Sequence, residues 1–135
     1  MKKIIVLILI AGTQLLSSCG SEKLDMAEAK KTAESAINYM GNKKFDDLYN
    51  LYTNDFAHSE RKEVREAKIN EIITVIGAVE NYTLIDSVAQ DNFGEESNIL
   101  LTYQVKHANL TSKELFTIIL EDGKYLIAKI DIQGK

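Results

Sequence analysis

Proline and tryptophan are absent from this 135-residue chain, and cysteine occurs once, at Cys19. Without a second thiol the chain forms no internal disulfide, no Cys-x-x-Cys redox pair and no thiolate zinc site, so the fold must rest on its core. Histidine is nearly as scarce. His58 and His107 stand in no metal-binding spacing, so a histidine site would need the two to meet in space. Glycine-rich phosphate loops, calcium loops and serine triads are also missing, and neither a metal nor a cofactor is expected. Positive charge is in deficit, with 16 Lys and Arg against 20 Asp and Glu and a net charge of −4. That balance argues against nucleic acid as a partner. The longest apolar run, Ile4 to Ala11, falls well short of the roughly 20 residues that a bilayer core requires. Repeats and low-complexity tracts are lacking, so no internal domain boundary is expected.

What the N-terminus does contain is ordered in a telling way. Lys2 and Lys3 precede the apolar run, and Leu16-Ser17-Ser18-Cys19 follows it. Basic, apolar and small-residue regions in that order match a secretory signal peptide. The closing Leu, two small residues and Cys resemble a lipobox, the cleavage site of bacterial lipoproteins. The resemblance implies a signal peptide over 1–18 and a lipid on Cys19, followed by a short tether at 19–24 and a folded domain at 25–135. It places the protein in the cell envelope, anchored to the membrane through Cys19. Gly20 rather than Asp follows the cysteine, so the expected destination is the outer membrane, facing the periplasm. Removal of Lys2 and Lys3 with the signal would take the net charge from −4 to −6.

The periodicity of the remaining chain changes once. Asp25 and Glu28 have the spacing of a capping box, and Met26, Ala29, Ala33, Ile37 and Met40 recur at helical intervals up to Gly41. Phe45, Leu48 and Tyr52 mark a second helix ending near Thr53-Asn54-Asp55, with Phe56 folded back beneath it. Ser59 is the expected cap of a third helix, with Val64, Ala67, Ile69, Ile72, Ile73 and Ile76 inward and Gly77 as its stop. From Tyr82 the period becomes two. Tyr82, Leu84, Asp86 and Val88 share one face of a first strand, and Ile99, Leu101, Tyr103 and Val105 one face of a second. Phe116, Ile118 and Leu120 do the same in a third, and Leu126, Ala128, Ile130 and Ile132 in a fourth. Asp122-Gly123 is a strong hairpin signal between the last two. Three helices followed by a four-stranded antiparallel meander with one apolar face make an α+β domain, because only the helices are available to cover that face.

This outline is similar to the NTF2-like (cystatin-like) cone, and in particular to small exported domains of unknown function that share it. The likeness is carried by Phe45-Asp46-Asp47-Leu48-Tyr49, by Ile76-Gly77 before Tyr82, and by the hairpin Asp122-Gly123-Lys124-Tyr125-Leu126. It implies a cone closed by a curved sheet. The fold hosts enzymes, binding domains and assembly subunits alike, so it does not select a function.

Six tyrosines invite a binding role. Tyr52 and Tyr103, with Phe56 beside them, are the candidates for lining a ligand pocket; the bland alternative is that they fill the core. No catalytic residue is assigned, since Asp46, Asp47 and Asp55 sit at helix ends where carboxylates are favoured anyway. His107 and His58 are expected at the surface or as caps, and no inward strand position offers a His-Asp pair. Asn81-Tyr82-Thr83, Asn109-Leu110-Thr111 and Asp86-Ser87-Val88 fit short glycosylation patterns of low specificity. The leading expectation is non-catalytic binding of a small apolar ligand or an envelope protein. The alternatives are an enzyme using Asp55 or His107, and a homodimer formed through the outer sheet face around Thr83, Ile85, Thr102, Gln104, Thr117 and Lys129.

Overall fold

The computed structural model describes residues 23–91 and 96–134. The signal segment, Cys19 and most of the tether lie outside the described residues, as does the tip of the first hairpin loop. Four helices come first: α1 (Met26–Gly41), α2 (Phe45–Tyr49), α3 (Asn54–His58) and α4 (Lys62–Ile76). Four strands follow: β1 (Val79–Gln90), β2 (Asn98–His107), β3 (Thr111–Glu121) and β4 (Lys124–Gly134). The strands pair antiparallel in sequence order, and the helices cover one face of the sheet. The architecture is thus the expected α+β meander.

Helix α1 packs closely because its inward stripe is small. Ala29, Ala33 and Ala36 are fully buried against the sheet, with Ile37 and Met40 completing the stripe. Asp25 caps it as expected, accepting from the amides of Ala27 (2.9 Å) and Glu28 (3.3 Å). The return half of the capping box is not made by Glu28. The Asp25 amide donates instead to the Tyr125 hydroxyl, and Thr32 donates to the Tyr125 carbonyl, which ties α1 to the last hairpin. Leu24, counted with the tether on sequence grounds, packs on the core. Gly41 is present for a close approach rather than a left-handed stop: a Cβ there would lie 2.8 Å from Val79 Cγ2. The positive φ that turns the chain belongs to Lys43.

The second expected helix is two. Thr53 interrupts it because its amide donates to the Ile127 carbonyl (2.9 Å), while the Ile127 amide donates to Leu51 (2.8 Å). This pins the connection to β4, and the Thr53 hydroxyl then caps α3 by accepting from the Phe56 amide. Ser59 does not cap α4, whose N-cap is Arg61. The inward stripe of α4 is Arg65, Ile69, Ile73 and Ile76, while Ala67 and Ile72 are exposed. Gly77 stops the helix at φ +88, and Asp122 and Gly123 both take the positive φ of a tight hairpin.

Three register shifts interrupt the sheet among the described residues, one at Glu80 near the start of β1 and two that break the alternation read from the sequence. In β4 the register skips between Thr117 and Ile118, leaving Ala128 unpaired. A bulge inverts the parity of a strand and bends it. Ile127 is therefore buried in place of Leu126 and Ala128, while Ile130 and Ile132 keep their inward positions. In β1 the skip falls at Ile85, so Asp86 and Val88 end up exposed beyond the core.

Candidate functional site

A cavity of about 570 Å³ lies between α3, α4 and the end of β4, within the ~300–1,000 Å³ range of small-molecule sites. Met40, Ile69, Ile72, Ile130 and Ile132 form its apolar wall, Tyr52 and Phe56 an aromatic one, and Ser59, Glu60, Arg65, Lys68 and Asp131 its polar rim. The pinned connection between α2 and α3 places the aromatic residues. Tyr52 is held in line with β4 by the Ile127 bridge, and the Thr53 cap starts α3 so that Phe56 returns over it, ring centroids 4.8 Å apart.

Arg65 reaches this site from the buried stripe of α4. Its guanidinium lies 4.1 Å from the Phe56 ring centroid and 5.2 Å from that of Tyr52, so the positive charge is held against two aromatic faces. Nη2 donates to the Ser59 hydroxyl (2.9 Å), which in turn donates to the Phe56 carbonyl. Nε faces Glu60 at 3.7 Å. Nη1 is buried without a partner among the described residues, and so is the Tyr52 hydroxyl. Burial pushes the Tyr52 hydroxyl up to about 12, against a smaller opposing pull from the Arg65 charge. Tyr52, Arg65 and Ile69 also line a second, small pocket of about 10 Å³, together with Phe45, Leu48, Tyr49, Lys62 and Glu66.

Of the residues singled out in the sequence, Tyr52 and Phe56 meet at this cavity and Tyr103 does not. Tyr103 is fully buried between Tyr82 and Phe116, and its hydroxyl donates to Glu34 at 3.1 Å. Burial, and then the Glu34 charge, hold that hydroxyl well above its usual range. Asp46 sits on the surface against Lys62, whose hydrogen bond and charge lower its carboxyl; the same contact raises Lys62. Asp55 is exposed in the first turn of α3, and His58 is an exposed residue whose Nδ1 lies 2.7 Å from the Asn54 carbonyl.

His107 departs most from expectation. It is 2% exposed rather than at the surface, and it shares the interior with Ser112 and Glu114. Nδ1 is 3.0 Å from the Gly77 carbonyl, which can only accept, so Nδ1 carries a proton. Nε2 is 3.0 Å from the Ser112 hydroxyl and 3.2 Å from Glu114 Oε1, and Ser112 also lies 3.1 Å from that oxygen. An inward His-acid pair therefore exists, with Glu rather than Asp. It was legible in principle: His107 continues the parity of Ile99, Leu101, Tyr103 and Val105, and Glu114 that of Phe116 and Ile118. Arg65 was signalled in the same way, four residues before Ile69 on the buried stripe. Among the described residues no group of three or more His, Cys, Asp or Glu is placed to hold a metal ion.

No protein-family model and no curated protein matches the sequence. Solved structures do. An NTF-2 like protein of unknown function from Silicibacter pomeroyi aligns with 81% of this chain and 94% of its own, at 11% identity and a TM-score of 0.59. A protein of unknown function with a cystatin-like fold from Nostoc punctiforme aligns with 84% of this chain and 93% of its own, at 13% identity and a TM-score of 0.60. A putative scytalone dehydratase from Novosphingobium aromaticivorans covers 82% and 83% respectively, at 10% identity and a TM-score of 0.53. At such identities the likeness speaks to backbone alone. The chain has the NTF2-like, cystatin-like fold.

Proposed function

We propose that this protein is a lipid-anchored component of the bacterial cell envelope whose domain binds a small apolar ligand without transforming it. The observation that carries the binding role is the cavity of about 570 Å³ with its wall of Met40, Ile69, Ile72, Ile130 and Ile132 and its aromatic pair Tyr52 and Phe56. The lipobox-like Leu16-Ser17-Ser18-Cys19 supports the anchor, and Gly20 supports delivery to the outer membrane. An enzymatic role through Asp55 or His107 has less support: Asp55 is exposed, and His107 is sealed from any substrate with both ring nitrogens engaged.

Native mass spectrometry of the gently purified chain tests the binding role. A small added mass is expected, and it should vanish in Tyr52→Ala and Phe56→Ala. A clean apo mass under all conditions counts against a ligand and favours an envelope protein as partner. Metabolic labelling with palmitate tests the anchor; label that persists in Cys19→Ser would rule it out.

A second reading draws on the outer sheet face. Val88, Leu100 and Thr117 align across β1, β2 and β3, and Asp86, Thr102 and Leu115 form the next row. These residues line a groove of about 330 Å³, with Ile85 exposed nearby. An apolar stripe on a surface of this kind suits a second copy of the chain. Sedimentation velocity across a hundredfold concentration range would expose such a dimer, and an invariant monomer would remove it.

A further inference from the structure

We propose that Ser87 carries an O-linked glycan, added after export at the tripeptide Asp86-Ser87-Val88. The proposal rests on the reading of the chain as an exported envelope protein and goes beyond it by naming a modification site.

Three tripeptides of the sequence fit glycosylation patterns, and the structure separates them. In Asn109-Leu110-Thr111 the Asn109 amide, the group that would take the sugar, already donates to the Val75 carbonyl at 3.0 Å. In Asn81-Tyr82-Thr83 the central residue is half-buried, its ring edge-on to Tyr103 at 6.0 Å, so the core holds that tripeptide. Asp86, Ser87 and Val88 are all exposed, and so are Ile85 before them and Ala89 and Gln90 after them. A transferase must take its acceptor whole, and only this tripeptide presents all three side chains.

Position in the sheet is the second reason. β1 lies at the edge, hydrogen-bonded to β2, and the register shift at Ile85 sets off the run from Asp86 to Gln90. An edge strand offers a free row of backbone N–H and C=O groups, which an enzyme can grip as it would an extended peptide. The core accounts poorly for the side chains there. Aspartate is depleted in strands, and Val88 is 41% exposed. A carboxylate and an apolar side chain flanking a hydroxyl give a sequence-reading transferase its points of recognition. Alternation turns Ser87 to the face opposite Asp86 and Val88, so a sugar there leaves the groove of the outer face open. A bulky, solubilising group beside the edge would also hinder its pairing with another chain.

The transfer is a displacement. Ser87 Oγ attacks the anomeric carbon of a diphosphate-linked sugar, and the new C–O bond forms as the sugar–diphosphate bond breaks. The diphosphate leaves with the electron pair, and the hydroxyl proton passes to a base of the transferase. The rival reading makes Asp86 a plain guard against edge pairing, which needs no sugar.

Peptide mass spectrometry on the full chain, extracted from the membranes of the organism that encodes it, decides between them. Cleavage at glutamate releases the segment 81–95, and electron-transfer fragmentation places any sugar within it. The mass of one or more sugar residues is expected on Ser87. It should vanish in Ser87→Ala, persist in Ser87→Thr and fall at least tenfold in occupancy in Asp86→Asn, while Thr83→Ala leaves it unchanged. An unmodified segment 81–95, or a sugar that stays in Ser87→Ala, overturns the proposal. The N-terminal peptide of the same sample separates this from the export reading. A lipidated Cys19 beside a bare Ser87 refutes the glycan alone, whereas a chain still beginning at Met1 with a bare Ser87 refutes both.

Discussion

Replacing His107 by Leu should be among the most damaging single changes that leave the apolar core volume nearly intact. The side chain is sealed, and it engages Gly77 through Nδ1 and Ser112 and Glu114 through Nε2. Removing it leaves Glu114, 2% exposed, with Ser112 alone on Oε1 and nothing on Oε2 among the described residues. Stripping one partner from a buried ion pair or its hydrogen-bonded equivalent costs about 3–5 kcal/mol. A domain of this size has only about 5–15 kcal/mol to lose. With a urea slope of roughly 1–3 kcal/mol/M, the unfolding midpoint should drop by about 2 M. The double variant His107→Leu with Glu114→Met removes the stranded carboxylate as well, and should be more stable than His107→Leu alone. Circular dichroism in urea on the four members of the cycle gives the coupling, expected at about 2 kcal/mol or more and opposing the single losses. A loss below 1 kcal/mol for His107→Leu, or strict additivity in the double variant, would refute the reasoning that this cluster is a mutually dependent buried network.

Alkaline pH should weaken the fold through Tyr52. Its hydroxyl is raised from 10.0 to about 12, so the folded chain holds that proton more tightly than the unfolded chain does. The associated stability is whole below pH 10 and is lost as pH climbs toward 12, by about 2–3 kcal/mol from this group. Tyr103 is raised in the same sense and adds to the slope. Urea midpoints at pH 9 and pH 11.5 should converge partly in Tyr52→Phe, and an unchanged difference would assign the loss elsewhere. Gly77→Ala should be costlier than Gly41→Ala in thermal unfolding. At Gly77 a Cβ meets Ala108 Cβ at 2.9 Å and the backbone sits at φ +88, adding about 1–3 kcal/mol of strain to the clash. At Gly41 only the clash with Val79 applies. Equal melting temperatures for the two variants would contradict that ordering.

Much of the fold can be read directly from the chain. The change of period after Gly77, the Asp25 cap, the Asp122-Gly123 hairpin and the inward face of β2 all appear in the structure as the sequence implies. These features are local: each depends on a repeat of 2 or 3.6 residues or on the φ of one turn. The break between α2 and α3 was not legible, because Thr53 is diverted by the backbone of Ile127, more than seventy residues away. The bulge at Ala128 was hidden for the same reason, and with it the burial of Ile127.

The candidate site divides along the same line. Pattern singled out Tyr52, Phe56 and Tyr103 together, and the structure brings Tyr52 and Phe56 to one cavity while Tyr103 lies in the core. The same parity runs through His107, Glu114 and Arg65, yet His107 is expected at the surface on sequence grounds, because burial of an ionisable group runs against intrinsic hydrophobicity. Only partners supplied by neighbouring elements and turns make it tolerable. Gly77 and Ser112 supply them to His107, and Ser59 and the rings of Phe56 and Tyr52 supply them to Arg65. Tertiary structure alone decided which buried polar groups are satisfied and which have no partner among the described residues, because that depends on distances between elements and no local period encodes them.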